Sequence, residues 1–104
     1  MKAKEIQSEQ FYLKLSGKSE IEQLIADNIC IEKDKLSLSL LNPKKLVAKN
    51  ITGKQLQLSY TTAEMVKGDV VVIGDQCNIH TLYYTESYSI SPKSQVQHIR
   101  SEVQ

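Results

Sequence analysis

The chain has 104 residues, with 13 lysines and arginines against 12 aspartates and glutamates, and its formal net charge at pH 7 is +1. This length suits one domain, and the balanced charge creates no field that would attract nucleic acid or an anionic membrane. No apolar run approaches the roughly 18–20 residues of a membrane span, and the first residues lack the apolar stretch of a secretory signal. We therefore expect a cytoplasmic protein with no direct membrane span.

The predicted elements begin, in chain order, with a polar N-terminal tail or short terminal helix over residues 1–10, which is charged on both sides of Ile6. From Phe11 onward, apolar and polar residues alternate in short runs, which is typical of strands with one face buried. The clearest runs are Phe11–Leu15, Ile29–Ile31, Leu36–Leu40 and Leu56–Leu58. We predict one all-β domain over residues 11–99 and a C-terminal tail over residues 100–104.

Residues with turn chemistry separate these runs. Glycine and aspartate adopt turn conformations at little cost. Pro43 and Pro92 cannot donate a hydrogen bond to a sheet, so we expect both prolines at corners or edges. The predicted turn and corner residues are Gly53, Gly68, Asp69, Gly74 and Asp75.

A six-residue sequence recurs along the chain. Residues 24–29 (LIADNI) return at 46–51 (LVAKNI), with a weaker third copy at 65–70. Self-similarity at about 20 residues predicts a solenoid, in which each coil buries its apolar residues only against its neighbours. A sandwich would give no reason for the recurrence. Residues 19–27 also fit a short helix, but their overlap with the repeat favours a strand. We predict a single-domain β-solenoid with short coils of about 20 residues.

The two cysteines, Cys30 and Cys77, are not arranged as a CxxC pair. Free cysteine often behaves as a small buried apolar residue, and disulfides are rare in reducing compartments. We expect two free thiols, both buried as small apolar residues.

The segment from Val66 to Tyr84 (VKGDVVVIGDQCNIHTLYY) combines valine, Gly-Asp, valine, Ile-Gly, cysteine and isoleucine in a fixed order, followed by an apolar residue and a tyrosine. This pattern resembles the one that recurs in bactofilin-like, polymer-forming cytoskeletal proteins, and the resemblance extends over roughly residues 20–97. It implies a right-handed β-helix and a non-catalytic structural role. Such proteins assemble end to end without nucleotide and serve as scaffolds near membranes or cell envelopes.

The same resemblance implies which residues of the Val70–Ile73 run point inward. In the family pattern the positions of Val71 and Ile73 are apolar, whereas those of Val70 and Val72 tolerate charge. Val70 and Val72 are therefore expected outside, where exposed valines mark a contact surface. With these assignments, the predicted core ladder is Ile29, Ile31, Leu38, Ile51, Leu56, Leu58, Val71, Ile73 and Ile79.

Two adjacent tyrosines add to the candidate interface. Tyr83 and Tyr84 are neighbours in one strand, so their side chains point to opposite faces and one of them is expected outside. Tyrosine is common in protein and sugar interfaces because its ring is apolar and its hydroxyl polar. The candidate interface residues are Val70, Val72, Tyr83 and Tyr84.

No set of side chains predicts catalysis. His80 has no carboxylate or thiol at a metal-ligand offset on its strand face, and His98 lies in the polar C-terminal segment. Asp69 and Asp75 each follow a glycine, which is ordinary turn chemistry. We expect no enzyme activity, no cofactor and no metal ion.

The expected function is a structural or scaffolding module of the cytoskeleton. Its expected partners are copies of itself, as a dimer or a higher assembly, and other scaffold proteins, because an open stack of coils exposes apolar residues and strand edges at its ends. The alternative is a β-helical binding module that holds a carbohydrate or a protein on an outward row of serine, glutamine and tyrosine residues.

Overall fold

The computed structural model describes residues 2–15, 18–33 and 45–101, and the elements in these ranges are seven β-strands. The strands are β1 (Lys2–Leu15), β2 (Lys18–Lys33), β3 (Lys45–Thr52), β4 (Gln55–Leu58), β5 (Thr61–Ile73), β6 (Asn78–Ile90) and β7 (Gln95–Ser101). All neighbours pair in parallel in the order β1-β2-β3-β5-β6-β7, and β4 pairs with β2 and β5 beside β3. A parallel sheet whose strands stack in chain order is a β-solenoid, so the predicted fold class is confirmed. Across these described ranges, no helix is long and apolar enough to span a bilayer.

Each coil has three sides, as the spacing of its buried residues shows. The buried residues are Ser19, Ile21, Leu24, Ala26, Ile29 and Ile31 in β2, and Thr61, Ala63, Val66, Gly68, Val71 and Ile73 in β5. Both sets follow the spacing 2-3-2-3-2. A straight strand points every second residue inward, so each spacing of three marks a bend at which two successive residues face solvent. Three short straight segments, joined at these two bends, therefore enclose the core.

Equivalent positions of successive coils stack into ladders that form this core. Ile6, Leu24, Ile51, Val66 and Leu82 pair in succession from β1 to β6. Full burial of such a side chain, as for Leu24, Ile51, Val66 and Leu82, stabilises the fold by roughly 1.5–3 kcal/mol. All predicted core residues in the described ranges are buried, namely Ile29, Ile31, Ile51, Leu56, Leu58, Val71, Ile73 and Ile79. Leu38, with the Leu36–Leu40 run and Pro43, lies outside the described residues.

The recurring hexapeptides do not stack on each other. Leu24 pairs with Ile51, whereas its sequence counterpart Leu46 pairs with Ser19. The step along the chain from one coil to the next is also unequal, being longest between β2 and β3 and shortest between β3 and β5. Between β5 and β6 the register shifts by one position between Gly68 and Val70. The repeat therefore predicted the fold class correctly, but its two copies do not occupy equivalent positions of successive coils.

The N-terminal segment is part of the solenoid, which corrects the prediction of a tail over residues 1–10. β1 starts at Lys2, and its residues Ala3, Ile6 and Ser8 stack on the second coil. Two of these three inward residues are too small to produce an apolar pattern, which is why the sequence suggested a tail. At the other end, β7 continues to Ser101, past the predicted boundary at residue 99.

The predicted turn residues occupy bends of two kinds. Gly53 lies between β3 and β4, and Gly74 and Asp75 lie between β5 and β6, whereas Gly68 and Asp69 lie inside β5 at its second bend. Among the described residues, the non-glycine residues with positive φ are Tyr60 (53°) and Gln76 (59°). The sequence analysis did not predict these two positions. Pro92 lies between β6 and β7, as expected.

Candidate interaction surfaces

The outward side chains on the three sides form three surfaces, which we name in chain order the charged, middle and amide faces. The charged face consists of Lys2, Lys4, Glu20, Glu22, Val47, Lys49, Thr62, Glu64, Asn78 and His80. The middle face consists of Glu5, Gln7, Gln23, Ile25, Asn50, Thr52, Met65, Lys67, Thr81 and Tyr83. The amide face consists of Gln10, Tyr12, Asn28, Cys30, Gln55, Gln57, Val70, Val72, Ser87 and Ser89.

The amide face carries a groove of about 560 Å³. Gln10, Asn28 and Gln55 pair in register along one row, and this row continues to Val70. Because each amide offers both donors and an acceptor, the row presents a repeating set of hydrogen-bonding groups at the strand spacing of about 4.8 Å. The groove is lined by Gln10, Phe11, Tyr12, Asn28, Ile29, Cys30, Gln55, Leu56, Gln57, Val70 and Val72.

The second row of the amide face consists of Tyr12, Cys30, Gln57 and Val72, which pair in succession. The side chains of Tyr12 and Cys30 in this row make hydrogen bonds. The Tyr12 hydroxyl donates to Glu32 Oε2 at 2.8 Å, and the Cys30 thiol lies 4.0 Å from Gln57 Oε1. Partial burial raises the pKa of Cys30, and the negative charge of Glu32 and a hydrogen bond to it raise this pKa further. A raised pKa lowers the fraction of thiolate, which is the nucleophilic form of cysteine.

Cys77 is a structural thiol inside the solenoid. It is buried and free, and its Sγ donates to the Leu58 carbonyl oxygen at 3.5 Å. Burial is the largest cause that raises the pKa of Cys77. Both cysteines are free thiols in the structure, as the sequence predicts. The prediction that both are buried holds for Cys77 and is wrong for Cys30, which is partly exposed because it points outward on the amide face.

The four predicted interface residues lie in different places. Val70 and Val72 face outward on the amide face, where Val72 is 38% exposed. Tyr83 pairs with Lys67, which precedes the second bend of β5, so Tyr83 lies on the middle face. Tyr84 packs against the core, and its ring lies 4.7 Å from the Tyr88 ring. The structure therefore supports one continuous surface for the two valines and does not join the tyrosines to it.

Asp69 and Asp75 make hydrogen bonds that hold the bends together. Asp69 Oδ1 accepts from Thr85 Oγ1 at 2.6 Å, and Asp75 Oδ1 accepts from Ser91 Oγ at 2.5 Å. Each bond joins one coil to the next. Both carboxylates therefore have a structural partner in the next coil.

His80 and His98 come together on the surface, which the sequence did not reveal. Their ring centroids are 5.3 Å apart, and His80 Nδ1 lies 2.8 Å from Thr81 Oγ1. The pairing arises because β7 stacks on β6 with Thr81 opposite His98. Within residues 2–15, 18–33 and 45–101, no three histidine, cysteine or acidic residues are grouped so that they would hold a metal ion.

The charged face carries an alternating row that sequence reasoning also missed. Ala3 pairs with Ile21 and Glu5 with Gln23, so Lys4 lies beside Glu22. The same reasoning places Glu22 beside Lys49, and Lys49 beside Glu64. The members of this row are separated by unequal numbers of residues in the sequence. The row can therefore be recognised only when the pairing of the strands is known.

The chain is similar to Uncharacterized protein YhbE from Bacillus subtilis (strain 168). The two are 31% identical over 96 residues, which cover 88% of this chain and 40% of that protein. The chain therefore spans less than half the length of the curated relative that it matches. No protein-family model and no solved structure matches the chain.

Proposed function

We propose that this protein is a non-catalytic, bactofilin-like scaffolding module that assembles with further copies of itself through the ends of its solenoid. The observation that supports this proposal is the open end at β1. Within the described part of the chain, β1 pairs with β2 alone, so the other edge of this 14-residue strand has no neighbouring strand. An open edge of this length is a template for another strand.

The core is also incompletely covered at the β1 end. Ile6, Phe11 and Leu13 point inward, yet they are only partly buried because no described coil lies outside them. Soluble solenoids normally cover such ends with polar capping units. A second copy that docked here would bury these three side chains and pair the outer backbone edge of β1.

The opposite end offers a complementary surface. β7 stacks on Asn78–Tyr84, the first part of β6; the second part of β6 pairs with β5 on one edge and has no neighbour among the described strands on its other edge. Ile99 of β7 is 41% exposed. Contact between unlike ends would generate an open assembly, and contact between like ends a closed dimer.

A charge placed at the β1 end is expected to prevent this assembly. Ile6→Lys inserts a cation among partly buried apolar residues, whereas Gln7→Lys adds the same charge to an exposed position of the same strand. Sedimentation velocity from about 1 to 100 μM, a range that spans weak specific association, is expected to show the same assemblies for the unmodified chain and Gln7→Lys, and smaller ones for Ile6→Lys, which lacks the contacts through the ends. An unmodified chain that stays monomeric throughout would refute the proposal, as would equal assembly of both variants.

A second candidate function is supported by the groove on the amide face, which combines hydrogen-bonding amides with the Tyr12 ring. Neutral oligosaccharides present hydroxyl groups to amides and an apolar ring face to tyrosine. Cys30 lies in this groove and serves as a reporter. Because its pKa is raised, alkylation is measured at about pH 9, above the usual thiol value of about 8.5.

If the groove binds sugar, cello-, malto- or chitohexaose at millimolar concentration is expected to slow alkylation of Cys30 in the folded protein. Cys77 is the internal control, since it is buried and is expected to react only after unfolding. An unchanged Cys30 rate with all three sugars would exclude a site for these glycans in the groove.

A further inference from the structure

The charged face has a row of four exposed charges that alternate in sign. From the first coil to the fourth, the row reads Lys4, Glu22, Lys49 and Glu64, with one charge contributed by each coil. Coils are spaced by about 4.8 Å. The row therefore extends over roughly 14 Å along the axis of the solenoid.

These four charges have no ion-pair partner within the described ranges. The ion pair that the structure shows there joins Lys18 Nζ to Glu20 Oε1 at 3.3 Å, beside the row. The four charged side chains of this row are all exposed. Their charges are thus available to a partner that approaches the face from outside.

The order of the charges is complementary to its own reverse. Read from the first coil, the signs are plus, minus, plus, minus; read from the fourth coil, they are minus, plus, minus, plus. A second copy turned about a two-fold axis parallel to the strands places Lys4 opposite Glu64 and Glu22 opposite Lys49, and symmetry repeats both pairs. A copy docked with its coils in the same order would instead oppose like charges, which disfavours that orientation.

We propose that the charged face binds a second copy of this chain side to side, with the two solenoids antiparallel and paired through Lys4, Glu22, Lys49 and Glu64. Such a contact is isologous, so it closes as a dimer. The two-fold axis passes between β2 and β3, within a groove of about 440 Å³ whose lining includes Val47. Val47 faces outward and provides apolar surface near the centre of the contact, whereas Ile21 and Ala48, which also line the groove, are buried in the core.

This inference extends the proposed self-assembly by adding a lateral contact, and it uses a surface separate from the solenoid ends. The same alternation also places unlike charges side by side within one sheet, where they contribute to stability. An experiment must therefore separate contacts between molecules from contacts within one molecule.

Zero-length carbodiimide cross-linking makes this separation. A mixture of ¹⁵N-labelled and unlabelled protein is expected to give mixed-isotope cross-links between Lys4 and Glu64, and between Lys49 and Glu22. Lys4 and Glu64 of one molecule are three coils apart, about 14 Å, so their link within a single chain is not expected. Absence of the mixed-isotope link between Lys4 and Glu64 would overturn the inference.

Charge exchange supplies the matched test. Glu22→Lys alone and Lys49→Glu alone each oppose two like-charged pairs in the dimer, and each is expected to weaken side-to-side association at least about tenfold, since like-charge contacts cost several kcal/mol. An equimolar mixture of the two variants restores all four pairs in the heterodimer. Light scattering is expected to show that the mixture associates as the unmodified chain does, and a mixture no better than its components would refute the pairing.

The end variant separates this inference from the proposed function. Ile6→Lys is expected to abolish assembly through the ends and to retain the mixed-isotope link between Lys4 and Glu64. Loss of the link in Glu22→Lys, with end assembly intact, identifies a lateral contact that is independent of the ends. A link that disappears in Ile6→Lys while the variant stays folded would show that the charged face is not an independent contact.

Discussion

Replacing Leu58 with alanine is expected to lower the free energy of unfolding by about 2–5 kcal/mol, the usual range for buried leucines. Leu58 is fully buried and stacks directly on Ile73, which is 1% exposed. The hydrogen-bonded strands on either side keep the coils at a fixed spacing. The core therefore relaxes little around the missing atoms, and most of the cavity remains.

This loss is large against the roughly 5–15 kcal/mol by which a typical domain is stable. Denaturant titration measures it, with Gln57→Ala as the matched control because Gln57 adjoins Leu58 in β4 and is exposed. Val72→Thr, which changes an outward residue, is expected to be mild. A change below about 0.5 kcal/mol for Leu58→Ala, within the range of ordinary surface substitutions, would show that Leu58 does not lie in the core ladder.

Gly53→Ala is expected to destabilise the fold by about 1–3 kcal/mol, as overpacked interiors do. A Cβ atom at this bend would overlap the carbonyl oxygen of Ala26 and the Leu56 side chain. The Gly53 amide donates to the Lys67 carbonyl oxygen at 3.0 Å, so the bend is fixed on its other side as well. The backbone of one coil must therefore move away from the next.

Gly68→Ala provides the comparison, because the three atoms nearest to its new Cβ, at 3.0–3.1 Å, belong to the side chains of Leu56 and Val71. Side chains shift by a few tenths of an ångström more readily than stacked coils do, so we expect the smaller loss here. Thermal melting of the two variants tests the order. A greater loss for Gly68→Ala than for Gly53→Ala would contradict the close contact between Gly53 and Ala26.

The hexapeptide repeat shows why the sequence predicted the fold but not the register. Residues 24, 26 and 29 follow the inward spacing of two and three positions, and residues 46, 48 and 51 follow it too. The three sides of a coil share this spacing, so the motif recurs on whichever side can accept it. Leu46 repeats Leu24 in the sequence, whereas Ile51 stacks on Leu24 in the structure. The two counterparts of Leu24 are separated by one side of a coil.

The surfaces were harder to predict than the core. Outward Val70 and Val72 followed from the resemblance to bactofilin-like proteins, because the family pattern distinguishes the two faces of an all-apolar run. The alternating row of the charged face depends instead on the unequal steps between coils, since the step from β2 to β3 is longer than those before and after it. Each step depends on how many residues the chain uses between one strand and the next. The sequence alone did not show where these strands begin and end, so it did not give the steps.

The short steps between paired strands also determine how this chain reaches its folded state. Every pairing joins neighbouring coils, at its widest Lys18 with Lys45 and at its narrowest Leu46 with Thr61, so each step of folding closes a loop of about one coil. Closing a loop of this length costs less entropy than closing a longer one, and in solenoids folding can start at any pair of coils and propagate to its neighbours. β1 and β7 each have one neighbouring coil among the described strands, so the fewest contacts oppose their opening and they are expected to open first. A contact at either terminal coil would therefore slow hydrogen exchange of its backbone amides more than that of the central strands.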